Sequence, residues 1–69
     1  MIKIFKTSIK KPSEAREVMQ ILSVRFPQSK VSFDLEDCDK ILRIENDRLQ
    51  TKTVVRLLKS RKHFCEELE

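Results

Sequence analysis

Sixty-nine residues without one glycine set the strongest constraint on this chain. Turns that need a left-handed backbone usually take glycine, which has no Cβ to clash. Asp, Asn, Ser and Pro must make the turns here, and their positions mark where regular elements stop. Lys10-Lys11-Pro12, Pro27, the polar break after Leu35 and Asn46-Asp47-Arg48 are those stops.

A chain of this length makes one domain, residues 1–69, and buries only about 60% of its unfolded surface, which disfavours a deep catalytic cleft. Charged residues are 38% of the chain and hydrophobic ones 39%, the profile of a small globular module with a dense charge coat. No apolar run approaches the ~20 residues that span a bilayer. In MIKIFKTSIKK the charges interleave with the apolar residues, unlike a signal peptide, so a cytoplasmic protein is expected. The net charge of +4 lies toward the N-terminal part: residues 1–30 carry seven Lys or Arg against two Glu, and residues 31–69 eight against nine acids. That balance lacks the clustered Arg and stacking aromatics of a nucleic-acid binder, so no nucleic acid and no membrane is expected as partner. Cys38 and Cys65 are too few for a disulfide framework and are expected as free thiols.

The spacing predicts a strand from Ile2 to Thr7, and adjacent Ile4 and Phe5 imply that both of its faces are partly covered. Ser13 is placed to cap a helix in which Ala15, Val18, Met19, Leu22 and Phe26 share a face, ended by Pro27. From Lys30 the period becomes two: Val31, Phe33 and Leu35 point one way, and Leu42 and Ile44 resume the alternation after a polar break. This is a hairpin. Charge selects a register with Phe33 facing Ile44, Leu35 facing Leu42, Asp34 facing Arg43 and Asp37 facing Lys40, since the register two residues shorter sets Glu36 against Asp39. Thr51 is placed to cap a second helix carrying Val54, Val55, Leu57 and Leu58. The segment HFCEEL fits either a continuation of that helix or a last strand. Val18, Leu22, Phe33, Leu35, Leu42, Ile44, Val54 and Leu58 form the expected core.

Strand, helix, hairpin, helix and a last strand is the order of an α+β, ferredoxin-like βαββαβ sandwich, an antiparallel sheet with two helices on one face. VSFDLEDCDKILRIEND is similar to the central hairpin of the heavy-metal-associated domains, the fold of copper chaperones and of metal-ATPase N-terminal modules, and HFCEEL resembles their last strand. The resemblance implies a fourth strand from His63 to Glu67. In that family a Met-x-Cys-x-x-Cys loop between the first strand and helix holds a soft metal. Here the corresponding stretch reads SIKKPSEA: Ile9 replaces the methionine as a core plug, and Lys10 to Glu14 hold neither sulfur nor imidazole. No metal site and no cofactor carry over. Lys10 and Lys11 beside a helix start suit an anion or only a solvated loop.

The acids around Cys38 raise the question of a different metal site. The four acids of DLEDCD are not expected to converge as an oxygen cage requires, one thiol cannot hold a soft metal alone, and neighbouring negative charge disfavours a Cys38 thiolate. His63 and Cys65, two apart on one strand face, with Cys38 across the molecule, are the alternative ligands for metal handling. No acid orients His63 and no oxyanion loop accompanies it, so catalysis is not expected. The expected role is a non-catalytic interaction module with a protein partner, monomeric or weakly homodimeric. Its contact surface would be the sheet face that the helices leave open, with Ile41 and one face of the first strand.

Overall fold

The computed structural model describes residues 1–68. Six elements follow one another: β1 (Ile2–Thr7), α1 (Pro12–Arg25), β2 (Lys30–Asp34), β3 (Ile41–Glu45), α2 (Thr51–Ser60) and β4 (Cys65–Leu68). The strands form one antiparallel sheet in the order β2-β3-β1-β4.

Opposed residues of an antiparallel ladder share a face, so the pairs Phe5–Leu42, Lys3–Ile44, Val31–Ile44 and Phe33–Leu42 put all these side chains on one side. Phe5, Leu42 and Ile44 are fully buried there with Val18, Leu22, Val54 and Leu58 from the helices. Both helices therefore cover this face. The other face carries Ile2, Ile4, Lys6, Ile41, Arg43 and Glu45, all exposed or half-buried.

The core differs from expectation at its rim. Phe33 and Leu35 are only half-buried because β2 is an edge strand, while Phe5 and Ile9 are fully enclosed. Ile9 does sit as a plug beneath the β1–α1 loop, and the free thiol of Cys65 faces the same core.

The hairpin register is the shorter one, with Phe33 opposite Leu42 and Asp34 opposite Ile41, so the pairs Asp34–Arg43 and Asp37–Lys40 do not form. A slip of two residues keeps every side chain on its face, which leaves weak exposed charge pairs as the only sequence criterion. Backbone closure outweighs them. Asp34 Oδ1 accepts the N–H groups of Glu36 and Asp37 at 3.2 and 3.3 Å, and Asp37 Oδ1 accepts that of Asp39 at 2.8 Å. Leu35 to Lys40 thus form a loop held by Asx turns, and Glu36 and Asp39 never meet as a ladder pair.

Neither helix uses its expected cap. Lys11 is the N-cap of α1, and Pro12 begins the helix where its missing N–H costs nothing. Gln50 is the N-cap of α2, because the Thr51 hydroxyl is engaged elsewhere. At the far end of α2, His63 donates its N–H to the Leu58 carbonyl at 2.9 Å and Lys62 donates to that of Lys59 at 2.9 Å. This is a Schellman closure, and it delays the last strand from His63 to Cys65. Its left-handed position, φ 66°, is occupied by Lys62.

Two outcomes test this packing. Phe5→Ala should cost roughly 3–5 kcal/mol and abolish cooperative melting, whereas Phe33→Ala, at the half-buried rim, should cost distinctly less; equal losses in thermal denaturation would contradict the face and edge assignment. Lys62→Gly should stabilise the fold by about 0.5–1 kcal/mol, since it removes the Cβ strain of the left-handed residue; an unchanged or lower Tm would contradict it.

Candidate functional site

Three connections meet at one end of the sheet: the β1–α1 loop, the β2–β3 tip and the α2–β4 turn. Thr7 N–H donates to the Asp39 carbonyl at 3.1 Å, Ser8 N–H donates to that of Phe64 at 3.2 Å, and Phe64 N–H returns a bond to Ser8 Oγ at 2.8 Å. Lys10, Lys11, Cys38 and His63 are gathered at this end.

Asp37, Cys38 and Asp39 bring their ligand atoms within 4.8 Å of one another, a partial convergence that was not expected, while Asp34 and Glu36 stay outside the group. It is the only such group of three or more among the described residues. These acids already have work in the fold. Asp37 caps the Asp39 amide, and Asp39 Oδ1 lies 3.7 Å from Lys6 Nζ. Two hard carboxylates and one soft thiol on an exposed tip also make a poorly matched donor set.

Cys65 and His63 do not join Cys38. The Cys65 thiol is buried, and desolvation of its anion pushes the pKa up to about 12, so it is protonated at neutral pH and a poor metal ligand. His63 is half-buried in the turn ahead of β4 rather than on a strand face with Cys65. Lys10 and Lys11 are exposed, and the Lys11 carbonyl accepts the Ala15 N–H at 3.1 Å as the helix starts.

The opposite end holds a polar tie that sequence reasoning missed. Lys3 Nζ donates to Thr51 Oγ1 at 3.0 Å and to Glu67 Oε2 at 3.2 Å, and the Thr51 hydroxyl donates to Glu67 Oε1. The cluster joins β1, α2 and β4. Its signal is in the alternation: Lys3 shares parity with Phe5 and Thr7, which places a cation on the covered face and requires a partner there. The bond from Thr51 and then that from Lys3 hold the Glu67 carboxyl below its ordinary range.

The remaining candidate surface is the open sheet face. Its rows run Lys30–Glu45–Ile2, Ser32–Arg43–Ile4–Leu68 and Asp34–Ile41–Lys6–Glu66. Ile2 is 54% exposed, and Ile4 and Ile41 are half-buried within this charged frame. Ile4, Ser32, Asp34, Ile41 and Arg43 border a shallow depression of about 340 Å³. No helix is long and apolar enough to cross a membrane among the described residues. Compared with known proteins, the chain matches no family model, no curated protein and no solved structure.

The depressed Glu67 pKa has a defined pH consequence. A carboxyl whose folded pKa lies below the unfolded value adds stability above the unfolded pKa, near 4.5, and that stability disappears as pH falls through the folded value. Glu67→Gln should therefore be less stable than the wild type at neutral pH, with the gap closing under acid. Denaturation midpoints of the two proteins that stay equally far apart from neutrality to well below pH 4.5 would contradict the tie.

Proposed function

We propose that the chain is a ferredoxin-like sandwich of the heavy-metal-associated type whose metal loop has been lost, and that it serves as a non-catalytic protein-interaction module. The element order, together with the strand order β2-β3-β1-β4 and both helices on one face, supports the architecture. Ile9, buried beneath the β1–α1 loop, fits the plug position of that family, and the loop itself offers no sulfur or imidazole to an ion.

The observation that carries the interaction role is the uncovered face of the sheet. Ile2, Ile4 and Ile41 keep apolar area in contact with water on the two central strands, interleaved with Lys6, Arg43 and Glu45. Exposed apolar side chains set among charges of both signs give such a face both the apolar area and the polar partners that a protein contact uses. It suits a partner that presents a small apolar surface with charges of both signs around it.

Ile4→Asp and Ile41→Asp leave the helix-side core untouched and place charge in the centre of the patch. Affinity for a protein partner should fall by roughly 10-fold or more in either variant, as expected when a central contact is removed, while Ile21→Ser in the outer groove between the helices should leave it unchanged. Binding that ignores both open-face variants but responds to Ile21→Ser would place the interaction elsewhere.

A further inference from the structure

The sheet ends in two edges, β2 and β4. Asn46 donates its N–H to the Met1 carbonyl at 3.0 Å, which makes Met1 and Asn46 a hydrogen-bonded pair. The alternation of an antiparallel ladder then makes Lys3–Ile44 and Phe5–Leu42 the next bonded pairs. On β3 the peptide groups of Glu45, Arg43 and Ile41 must turn the other way, toward Lys30, Ser32 and Asp34. The N–H and C=O groups of Val31 and Phe33 are left pointing off the β2 edge.

The sequence of that edge, KVSFD, is its own charge complement when read antiparallel. About a two-fold axis at Ser32, Lys30 meets Asp34, Val31 meets Phe33, and Ser32 meets its own copy. In this register the bonded pairs are Val31 with Phe33, the residues whose peptide groups face outward. We propose that β2 pairs with β2 of a second copy of this chain, joining two four-stranded sheets edge to edge.

The flank of the edge fits the same occupant. Phe26, Val31, Phe33 and Leu35 are half-buried against the rim of the core, and Met19 is half-buried as well. Met19 lies on the side of α1 away from the groove that Ile21 and Val24 border with Leu57 of α2, and Phe26 follows as the C-cap of that helix. An apolar strip therefore runs along the seam of α1 and β2, beside the unpaired edge, and a second copy covers strip and edge together. β4 does not suit self-pairing, since a two-fold centred on Glu66 or Glu67 sets that glutamate against its own copy. The dimer is made through the peptide groups of the β2 edge and the interaction role above through Ile2, Ile4 and Ile41 on the inner strands, so the two stand or fall separately.

Sedimentation across roughly 0.1–1 mM protein should show a reversible monomer–dimer equilibrium, the range expected for a small transient interface. Ser32→Asp gains Arg43 as its opposite neighbour within the chain, which preserves the monomer, yet meets its own copy across the axis; it should weaken the dimer about 5-fold. Asp34→Asn keeps an acceptor for the Glu36 and Asp37 amides while removing the charge that faces Lys30, and should weaken it by a similar, roughly 5-fold factor. Glu66→Gln on the other edge should change nothing. In a mixture of isotope-labelled and unlabelled chains, NMR should place the Val31 amide next to the Phe33 amide of the other copy. A monomer throughout that range, a dimer unmoved by Ser32→Asp and Asp34→Asn, or intermolecular contacts that map to β4 or to Ile2, Ile4 and Ile41 would overturn the proposal.

Discussion

The Thr7 hydroxyl is the point on which the loop end of the domain is hung, because it is the one buried polar side chain among the described residues and it serves two loops at once. It donates to the Lys40 carbonyl at 2.6 Å and accepts the Ile9 N–H at 3.2 Å, while the Thr7 N–H holds the Asp39 carbonyl. The hairpin tip is thereby fastened to the end of β1, and the chain is turned so that Ile9 drops into the core. A buried donor or acceptor left unmet costs about 1–3 kcal/mol, so both contacts matter in a domain with a small core. Ser8 repeats the device one residue on by exchanging bonds with Phe64, which fastens the start of β4. With Ile9 anchored and Pro12 pre-set for helix, α1 starts correctly without a side-chain cap.

The lack of glycine is resolved in a way the turn residues alone do not suggest. The two left-handed positions fall on lysines, Lys40 at φ 51° and Lys62 at φ 66°. Each is held by closure around it rather than by its own preference. Lys40 N–H reaches the Asp37 carbonyl at 3.0 Å and its Nζ reaches that of Leu35 at 2.9 Å, so backbone and side chain both brace the tip. Lys62 lies inside the Schellman bonds that end α2. Strain of about 1–2 kcal/mol at such a residue is offset by these bonds and persists only because the surroundings determine the turn.

Period and stop signals made the order of the first five elements, the β1 bounds and the helix-side positions of Val18, Leu22, Leu42, Ile44, Val54 and Leu58 legible in the sequence, while HFCEEL fitted helix or strand by period alone. Those features depend on which residues are apolar and how they are spaced. The hairpin register was not legible, since a two-residue slip leaves the pattern intact and the decision passes to Asx bonds that only the folded loop displays. The caps failed for a related reason. Ser13 and Thr51 are both competent, but a capping residue is chosen by where the backbone leaves helical geometry, and Pro12 and the Lys3–Thr51–Glu67 cluster fixed that elsewhere. The candidate surfaces were half visible: Ile41 and one face of β1 were read as an open patch, whereas the unpaired peptide groups of β2 follow from the strand order.

Where the alternation is broken, the structure gives the break a use. Lys3 points to the covered face and is matched there by Thr51 and Glu67, which fasten α2 and β4 to the central strand. Ile2 and Ile4 point to the uncovered face, where no helix of the described residues lies over them. The first break is compensated internally and so belongs to stability. The second has no internal compensation, and in a domain that gains little from each apolar residue it keeps on the surface, an unmatched patch on a rigid central strand belongs to an encounter outside the chain. The same reasoning separates the acids of the hairpin tip from a site: Asp37 already accepts the Asp39 amide and Asp39 already faces Lys6, so their clustering is accounted for by the turn and its neighbour.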